Sequence, residues 1–339
     1  PNWFPNEHGK KLLEPVIDKI KASANGKNND CLIGVSGGAD SSYLLYIAKE
    51  KFGLNPLAFH VDAGWNSQIS VNNIERLVDG LGVDLYTEVI NWKEMKDLQL
   101  SFFKAQVPHL DAPQDHVFFA SLYNFAVKNG IKFILTGQNY STECIREPLD
   151  WVYHASDLRQ LKDIHSKFGT ISLDTYPTAD IFKYKIYYRI VKGMEVVKPL
   201  NYVEYNKDQA MKLLENKYNF IPYAHKHYES RFTRFFEGYW LPNKFGYDKR
   251  RSHFSSLILT KQMTRDEAIS ELERPAYNED EMQKDFNFVA KKFDLTEAEL
   301  KKLFEGDNKT YKDYKNNMFL IDLGAKAMTL FNENHQLMK

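Results

Sequence analysis

The sequence has 339 residues, 45 Lys+Arg against 45 Asp+Glu, and 43% apolar residues. That length and balance describe a globular chain of one large or two ordinary domains, and exclude a disordered chain or a general nucleic-acid binder with a cationic excess. Cys31 and Cys144 make neither a disulfide framework nor a zinc spacing, no apolar run reaches membrane-spanning length and no signal-peptide pattern opens the sequence, so the expected setting is cytoplasmic, without a membrane partner.

Residues 8–24 read as an amphipathic helix, with Leu12, Leu13, Val16, Ile17 and Ile20 at helical spacing. A buried strand follows at Leu32, Ile33 and Val35, then the turn Ser36-Gly37-Gly38, then a helix opened by Asp40, Ser41 and Ser42 and continued by Leu44, Leu45 and Ile47. Glycines let the backbone approach a ligand, and the helix start offers unpaired N–H groups and a positive dipole end. Ser36, Gly37, Gly38, Asp40, Ser41 and Ser42 therefore form a candidate phosphate site. No Gly-Lys-Ser/Thr follows the glycines, and no G-x-G-x-x-G is present, so neither common phosphate loop applies. The string S-G-G-x-D-S-S resembles the signature of the PP-loop ATP pyrophosphatases, which implies ATP cleavage to AMP and pyrophosphate.

Further strands are predicted at 56–62, 83–90, 132–136 and 195–200, with helices at 70–81 and 118–128 between them. The alternation predicts a parallel, five-stranded, doubly wound sheet of the HUP type, with a mostly helical region after residue 200. The expected division is a PP-loop domain over 1–200, with a helical insertion at about 140–195, and a substrate- or partner-binding region over 201–339. Ligands in such sheets lie at the carboxyl ends of the strands. The loop at 36–42, Val61 and Asp62, and Gly137 and Gln138 all fall there.

Asp40 beside a bound pyrophosphate requires a cation, and Mg²⁺ is the expected one; a helix N-cap is the competing reading. Glu143 follows the fourth strand at a spacing that resembles the metal-binding glutamate of NAD synthetases. Pro199-Leu200 with Lys207 resembles the Pro-Leu…Lys element of PP-loop enzymes, which makes Lys207 a candidate phosphate ligand beside Asp40 and Ser41. His109, Asp111, Gln114, Asp115 and His116 form a polar cluster without a zinc pattern, from which Asp111, Gln114 and Asp115 are candidate substrate contacts. Arg146, in the insertion, is a further candidate substrate contact, and Cys144 reads as structural.

The run His225–Trp240 interleaves Arg231 and Arg234 with aromatics, and Lys249, Arg250 and Arg251 follow. Arginine forks suit an anionic small substrate; aromatic–basic interleaving also suits RNA, and a third possibility is an aromatic core with a solvated cationic rim. Helices are expected at 207–217, 232–239, 265–272, 280–293 and 296–304, the last with a Thr296/Glu299 capping box.

Taken together, Ser36–Ser42, Asp111–His116, the phrase from His227 to Arg251 and Met263–Ala268 resemble the bacterial N-acetyl sugar amidotransferases of O-antigen and flagellin-sugar pathways, over about residues 2 to 275. Members commonly begin with a short cysteine-bearing segment that is absent from these residues. The resemblance implies ATP and Mg²⁺ as cofactors. It also implies a nucleotide-activated acetamido sugar as substrate, converted to an acetamidino sugar through an O-adenylyl intermediate. Ammonia would come from a separate glutaminase subunit with a synthase-like barrel subunit as conduit. By their charge, Arg231, Arg234, Lys249, Arg250 and Arg251 are the candidates for the phosphates or a carboxylate of such a sugar nucleotide. The alternatives are a tRNA-modifying PP-loop enzyme, which would show a basic accessory domain or paired cysteines, and a non-catalytic nucleotide-binding scaffold of a glycan-assembly complex.

Overall fold

The computed structural model describes residues 3–326 except 25, 27 and 224–228. Helix α1 (Glu7–Ser23) leads to β1 (Cys31–Gly34), α2 (Ala39–Glu50), β2 (Pro56–Asp62), α3 (Gln68–Leu81) and β3 (Leu85–Val89). Helices α4 (Trp92–Lys104) and α5 (Ala112–Lys128) precede β4 (Phe133–Leu135). The short α6 (Tyr140–Glu143), α7 (Leu158–Phe168) and a π-helical segment (Lys183–Val191) then lead to β5 (Glu195–Val197). The strands form one parallel sheet in the order β3-β2-β1-β4-β5, with Leu32 paired to Leu57 on one side and to Ile134 on the other. The expected α/β architecture is the one observed.

Alternation along the strands assigns two cores. Leu32, Phe59, Val61 and Ile134 face one side with residues of α4, α5 and α7. Cys31, Ile33, Ala58, Phe133 and Leu135 face the other with α1, α2 and α3. Both faces of the inner strands β1, β2 and β4 are covered, which is why these strands lack polar alternation, whereas the edge strand β3 is largely exposed.

After β5 come α8 (Lys207–Tyr218), α9 (Arg231–Phe235) running on into a π-helical turn (Phe236–Phe245), α10 (Arg250–Leu259), α11 (Arg265–Glu273), α12 (Glu279–Lys292) and α13 (Glu297–Phe304). Phe232, Phe235, Trp240, Phe286, Val289 and Phe293 from this region enter the first core, whereas Leu214 and Phe220 enter the second. Trp65 joins the halves: its ring centroid lies 4.9 Å from Phe232 and 5.5 Å from Phe293, and its Nε1–H donates to Gln99 Oε1 at 2.7 Å. Thr296 and Glu299 form the expected capping box, as do Thr264 and Glu267. Helices α4 and α10 carry no expectation from the sequence, and α5 begins at Ala112 rather than 118. His225, Lys226, His227 and Tyr228, which open the aromatic–basic run, lie outside the described residues.

Among the described residues no helix is long and apolar enough to cross a membrane.

Candidate active site

The strand order changes direction between β1 and β4, the place where parallel α/β sheets open a ligand crevice. The loop after β1 and the loop after β4 flank it. Gly37 sits at φ +81, and a Cβ there would lie 2.7 Å from the Ser70 carbonyl oxygen, so the turn accepts only glycine. Gly137 is tighter in another sense: an added Cβ would lie 2.9 Å from the Ser41 nitrogen. The loop after β4 thus packs directly on the first turn of α2. No side chain caps that turn. Ser36 Oγ lies 3.3 Å from Ser41 Oγ and accepts from the Gly38 N–H at 3.2 Å, which folds the loop into a cradle of donors.

A cavity of about 420 Å³ opens over this cradle. Ser36, Gly38, Asp40 and Ser41 form one wall together with Gly137, and Phe59, Val61, Phe118, Leu122 and Leu135 make an apolar wall. The combination suits a molecule with a flat apolar part and a polyanionic tail. Asp111, Gln114 and Asp115 also line it, and so do Gln138, Glu143, Lys207 and Lys249. A second cavity of about 720 Å³ adjoins the first and shares Asp115, Gln138, Glu143, Lys207 and Lys249 with it. Its remaining wall includes Arg146, Lys198, Arg250 and Ser252.

Charge is arranged in layers around these cavities. Asp40 accepts a hydrogen bond from the Tyr205 hydroxyl, whose own pKa is raised by burial and then by Asp40. Asp111 is buried at the first cavity, accepts from Thr233 Oγ1 at 2.8 Å and from Gln114 Nε2 at 3.1 Å, and has its carboxyl pushed well above the usual range by burial and by Asp115. Lys249 pairs with Glu237 at 2.5 Å; burial opposes its charge, but Glu237 and Glu147 outweigh burial and raise its pKa. Asp40 and Glu143 present carboxylates to the same cavity. Among the described residues no group of three or more His, Cys, Asp or Glu could hold a metal unaided. The pair fits Mg²⁺, which takes one or two carboxylates and completes its shell with phosphate oxygens and water.

Several sequence-based expectations need correction. Ser42 is buried inside α2 and reaches neither cavity. Asp62 lines neither cavity; its Oδ1 accepts the Gly64 N–H at 2.8 Å. Arg231 and Arg234 line neither cavity, because both guanidinium groups close on the buried Asp285, at 2.7 and 2.6 Å. Their aromatic neighbours are core, as the third reading has it, but these two cations are paired with a buried carboxylate rather than forming a solvated rim. Arg251 is exposed and also lines neither cavity. Arg250 borders the second cavity, but its fork is spent on Asp248 and on the carbonyls of Glu271 and Arg274. His116 is buried away from the cavity, held by the Ala155 carbonyl and the Ala179 N–H.

Sequence reading missed Phe118, Leu122, Tyr205, Glu229 and Lys198. The first two lie on the predicted helix 118–128, where spacing alone does not separate a ligand wall from core. Lys198 directly precedes Pro199-Leu200, a position that the fifth strand's carboxyl end marks.

The family model described as "LPS biosynthesis protein WbpG-like, C-terminal domain" matches residues 229–328. That stretch contains the aromatic–basic phrase from Glu229 onward, and the match supports the sugar amidotransferase family recognised from the sequence. An uncharacterized protein of Methanocaldococcus jannaschii, MJ1599, is 28% identical over 152 residues, 43% of this chain and 50% of that protein. The chain therefore spans about half the length of this curated relative. Among solved structures, NMN synthetase from Francisella tularensis aligns with a TM-score of 0.39 at 14% identity, over 77% of this chain and 95% of that one. An NH3-dependent NAD synthetase from Campylobacter jejuni aligns at 0.35 and 15%, over 82% and 95%.

Proposed function

We propose that the chain is an ATP-dependent, AMP-forming amidotransferase that converts an acetamido group of a nucleotide-activated sugar into an acetamidino group. The observation that carries this reading is the Ser36–Ser41 cradle, packed against Gly137, at the mouth of a cavity with an apolar wall. The match of residues 229–328 to a family model described as an LPS biosynthesis protein's C-terminal domain supports a sugar substrate.

An amide carbonyl is a poor electrophile because its oxygen is a poor leaving group. In the proposed reaction the amide oxygen attacks the α-phosphorus of ATP, the bond to the β-phosphate oxygen breaks, and pyrophosphate leaves. Ammonia then adds to the activated carbon, AMP departs with the former amide oxygen, and the amidine retains the added nitrogen as a cation at neutral pH. The N–H groups of the loop and the first turn of α2 hold the outer phosphates and stabilise the charge that builds on departing pyrophosphate. Lys207, at the start of α8 and facing both cavities, adds a cation there. Asp40 and Glu143 would hold Mg²⁺, which when bound neutralises phosphate charge. Phe118 and Leu122 give the adenine a dry wall. No enzyme nucleophile is required. Ammonia is supplied by a partner glutaminase, through a synthase-like barrel subunit, in keeping with the sequence resemblance.

The test is incubation with ATP, Mg²⁺, ammonium salt and a panel of acetamido nucleotide sugars, followed by nucleotide chromatography and mass spectrometry. AMP formed in step with a product in which NH replaces O is the expected result. AMP absent with every sugar overturns the reading.

A further inference from the structure

The second cavity contains cations that the protein leaves without acids. Lys249 is matched by Glu237 at 2.5 Å and approached by Glu147 at 4.0 Å, and Arg250 is matched by Asp248 at 2.7 Å. Arg146 and Lys198, in the same wall, make no ion pair and no side-chain hydrogen bond among the described residues. Their positions come from different parts of the fold. Arg146 lies just past α6, and Lys198 follows β5 directly, at the carboxyl edge of the sheet where ligands of this architecture bind. The two sense each other: the Lys198 ammonium is held below its usual value by partial desolvation and then by Arg146, and the opposing pull of Glu143 does not offset them. Like charges turned toward one space repel, and an anion between them converts that cost into two charge-assisted contacts.

We propose that Arg146 and Lys198 form a phosphoryl-binding subsite that receives the diphosphate of the second substrate while the loop after β1 holds ATP. This rests on the proposed function and names where its nucleotide-linked sugar is gripped. A guanidinium fork matches two oxygens of one phosphoryl group, and a compact ammonium serves its neighbour. The two sites are distinct in wall but not in space, since Gln138, Glu143 and Lys207 belong to both cavities. A substrate held at Arg146 and Lys198 thus faces the same floor as the phosphates on the loop. The arrangement separates roles: the loop donates backbone N–H groups to a leaving group, whereas the side-chain pair anchors a group that stays intact.

The experiment uses the full chain loaded with Mg²⁺ and a non-hydrolysable ATP analogue, so that the loop is filled, and titrates UDP, GDP, CDP and dTDP calorimetrically. At least one diphosphate binds the wild type. Arg146→Gln and Lys198→Gln each weaken that binding about tenfold, the loss of one charge-assisted contact, and the double variant weakens it about a hundredfold. Binding of the ATP analogue itself stays within about twofold in all variants, the scatter expected of a site that has lost no contact. The proposal is overturned if none of the four diphosphates binds the loaded wild type, if the double variant binds as tightly as wild type, or if the variants lose the ATP analogue as well. A uronic acid that binds in a Lys198-dependent way when no diphosphate does would assign the pair to a sugar carboxylate and likewise overturn it. Failure of the wild type to bind the ATP analogue strikes the reading of the loop instead and is seen before any diphosphate is added.

Discussion

Ser36 donates its hydroxyl proton to Glu229 Oε1 at 3.3 Å, which sets a carboxylate from the C-terminal region at the rim of the loop after β1. The placement is fixed by backbone contacts. The Ser67 N–H donates to the Glu229 carbonyl at 3.1 Å, Asn66 and Ser230 form an antiparallel bridge, and the Arg231 N–H donates to the Trp65 carbonyl at 3.2 Å. Gly38 leaves room for it: an added Cβ would lie 2.8 Å from the same carboxylate oxygen. A negative group at this rim opposes the approach of a phosphate. Glu229→Gln should therefore tighten pyrophosphate binding about two- to fivefold at low salt, the scale of one exposed charge interaction, with the gain shrinking as salt is added. Calorimetric titration of pyrophosphate checks it. Weaker binding in the variant, seen only with Mg²⁺ present, would show that the carboxylate holds a cation against the phosphates.

The contact between Gly137 and α2 gives a sharper prediction. A methyl group there meets the Ser41 nitrogen at 2.9 Å and the Asp40 carbonyl carbon at 3.0 Å, both backbone atoms of the phosphate cradle. Gly137→Ala should displace that turn by a few tenths of an ångström and cost about a hundredfold in AMP formation, since a misplaced loop loses several donors together. Circular dichroism should remain near wild type because the strain is local. Wild-type turnover in this variant would show that the first turn of α2 does not hold the phosphates.

The sheet was legible in the sequence because strand, glycine turn and helix follow one another with distinct periods. The four residues Ser36, Gly38, Asp40 and Ser41 were legible for the same reason: short-range geometry ties them together, and they do face the cavity. Arg231 and Arg234 were misread because their partner, Asp285, lies some fifty residues later, and nothing local marks a carboxylate as buried. Arg146 was legible as a candidate and Lys198 was not; that both line the second cavity without such a partner is a property of the fold. Helix α4 shows the converse case: Met95, Leu98 and Phe102 recur at helical spacing, yet its role in covering the sheet follows from β3 lying at the edge.

Asp285 ties α12 to α9. Its side chain is 1% exposed and accepts from Arg231 Nη2 at 2.7 Å, from Arg234 Nε at 2.7 Å and from the Tyr277 hydroxyl. Arg231 also lies 3.7 Å over the Phe288 ring. Asp285→Ala leaves two guanidinium groups facing each other across an apolar gap. The loss should be about 2–4 kcal/mol, at or below the usual range for breaking a buried pair because both arginines keep some contact with water. Urea unfolding measures it. The same variant should bind pyrophosphate like wild type, in contrast to what substrate-binding arginines would require.

The last prediction concerns acid. His116 donates its Nδ1–H to the Ala155 carbonyl at 2.7 Å and accepts at Nε2 from the Ala179 N–H at 3.2 Å. His60 is held in the same way, between the Val35 carbonyl at 2.9 Å and Asn66 Nδ2 at 2.8 Å. Burial shifts both imidazoles below the usual 6.5, against the raising effect of their carbonyl partners, and a proton on Nε2 would face a donor in each case. A depressed histidine pKa means that the unfolded chain binds the proton first. Stability from these groups is complete above pH 6.5 and falls as the pH drops toward the folded-state values. Unfolding free energy should thus decline between pH 7 and pH 5 with a slope approaching about 1.4 kcal/mol per pH unit for each histidine kept neutral. His116→Gln should be less stable at pH 7.5, because the Ala155 carbonyl and Ala179 N–H sit on different elements, yet its slope should be shallower by one histidine's share. Asp111, with its raised carboxyl, acts in the opposite direction: it favours the fold at low pH and loses that contribution as pH rises through its folded value. Denaturant melts at half-unit pH steps separate the two, since Asp111→Asn should improve stability at pH 8 more than at pH 5. An unchanged slope in His116→Gln would show that this ring accepts its second proton within the folded chain.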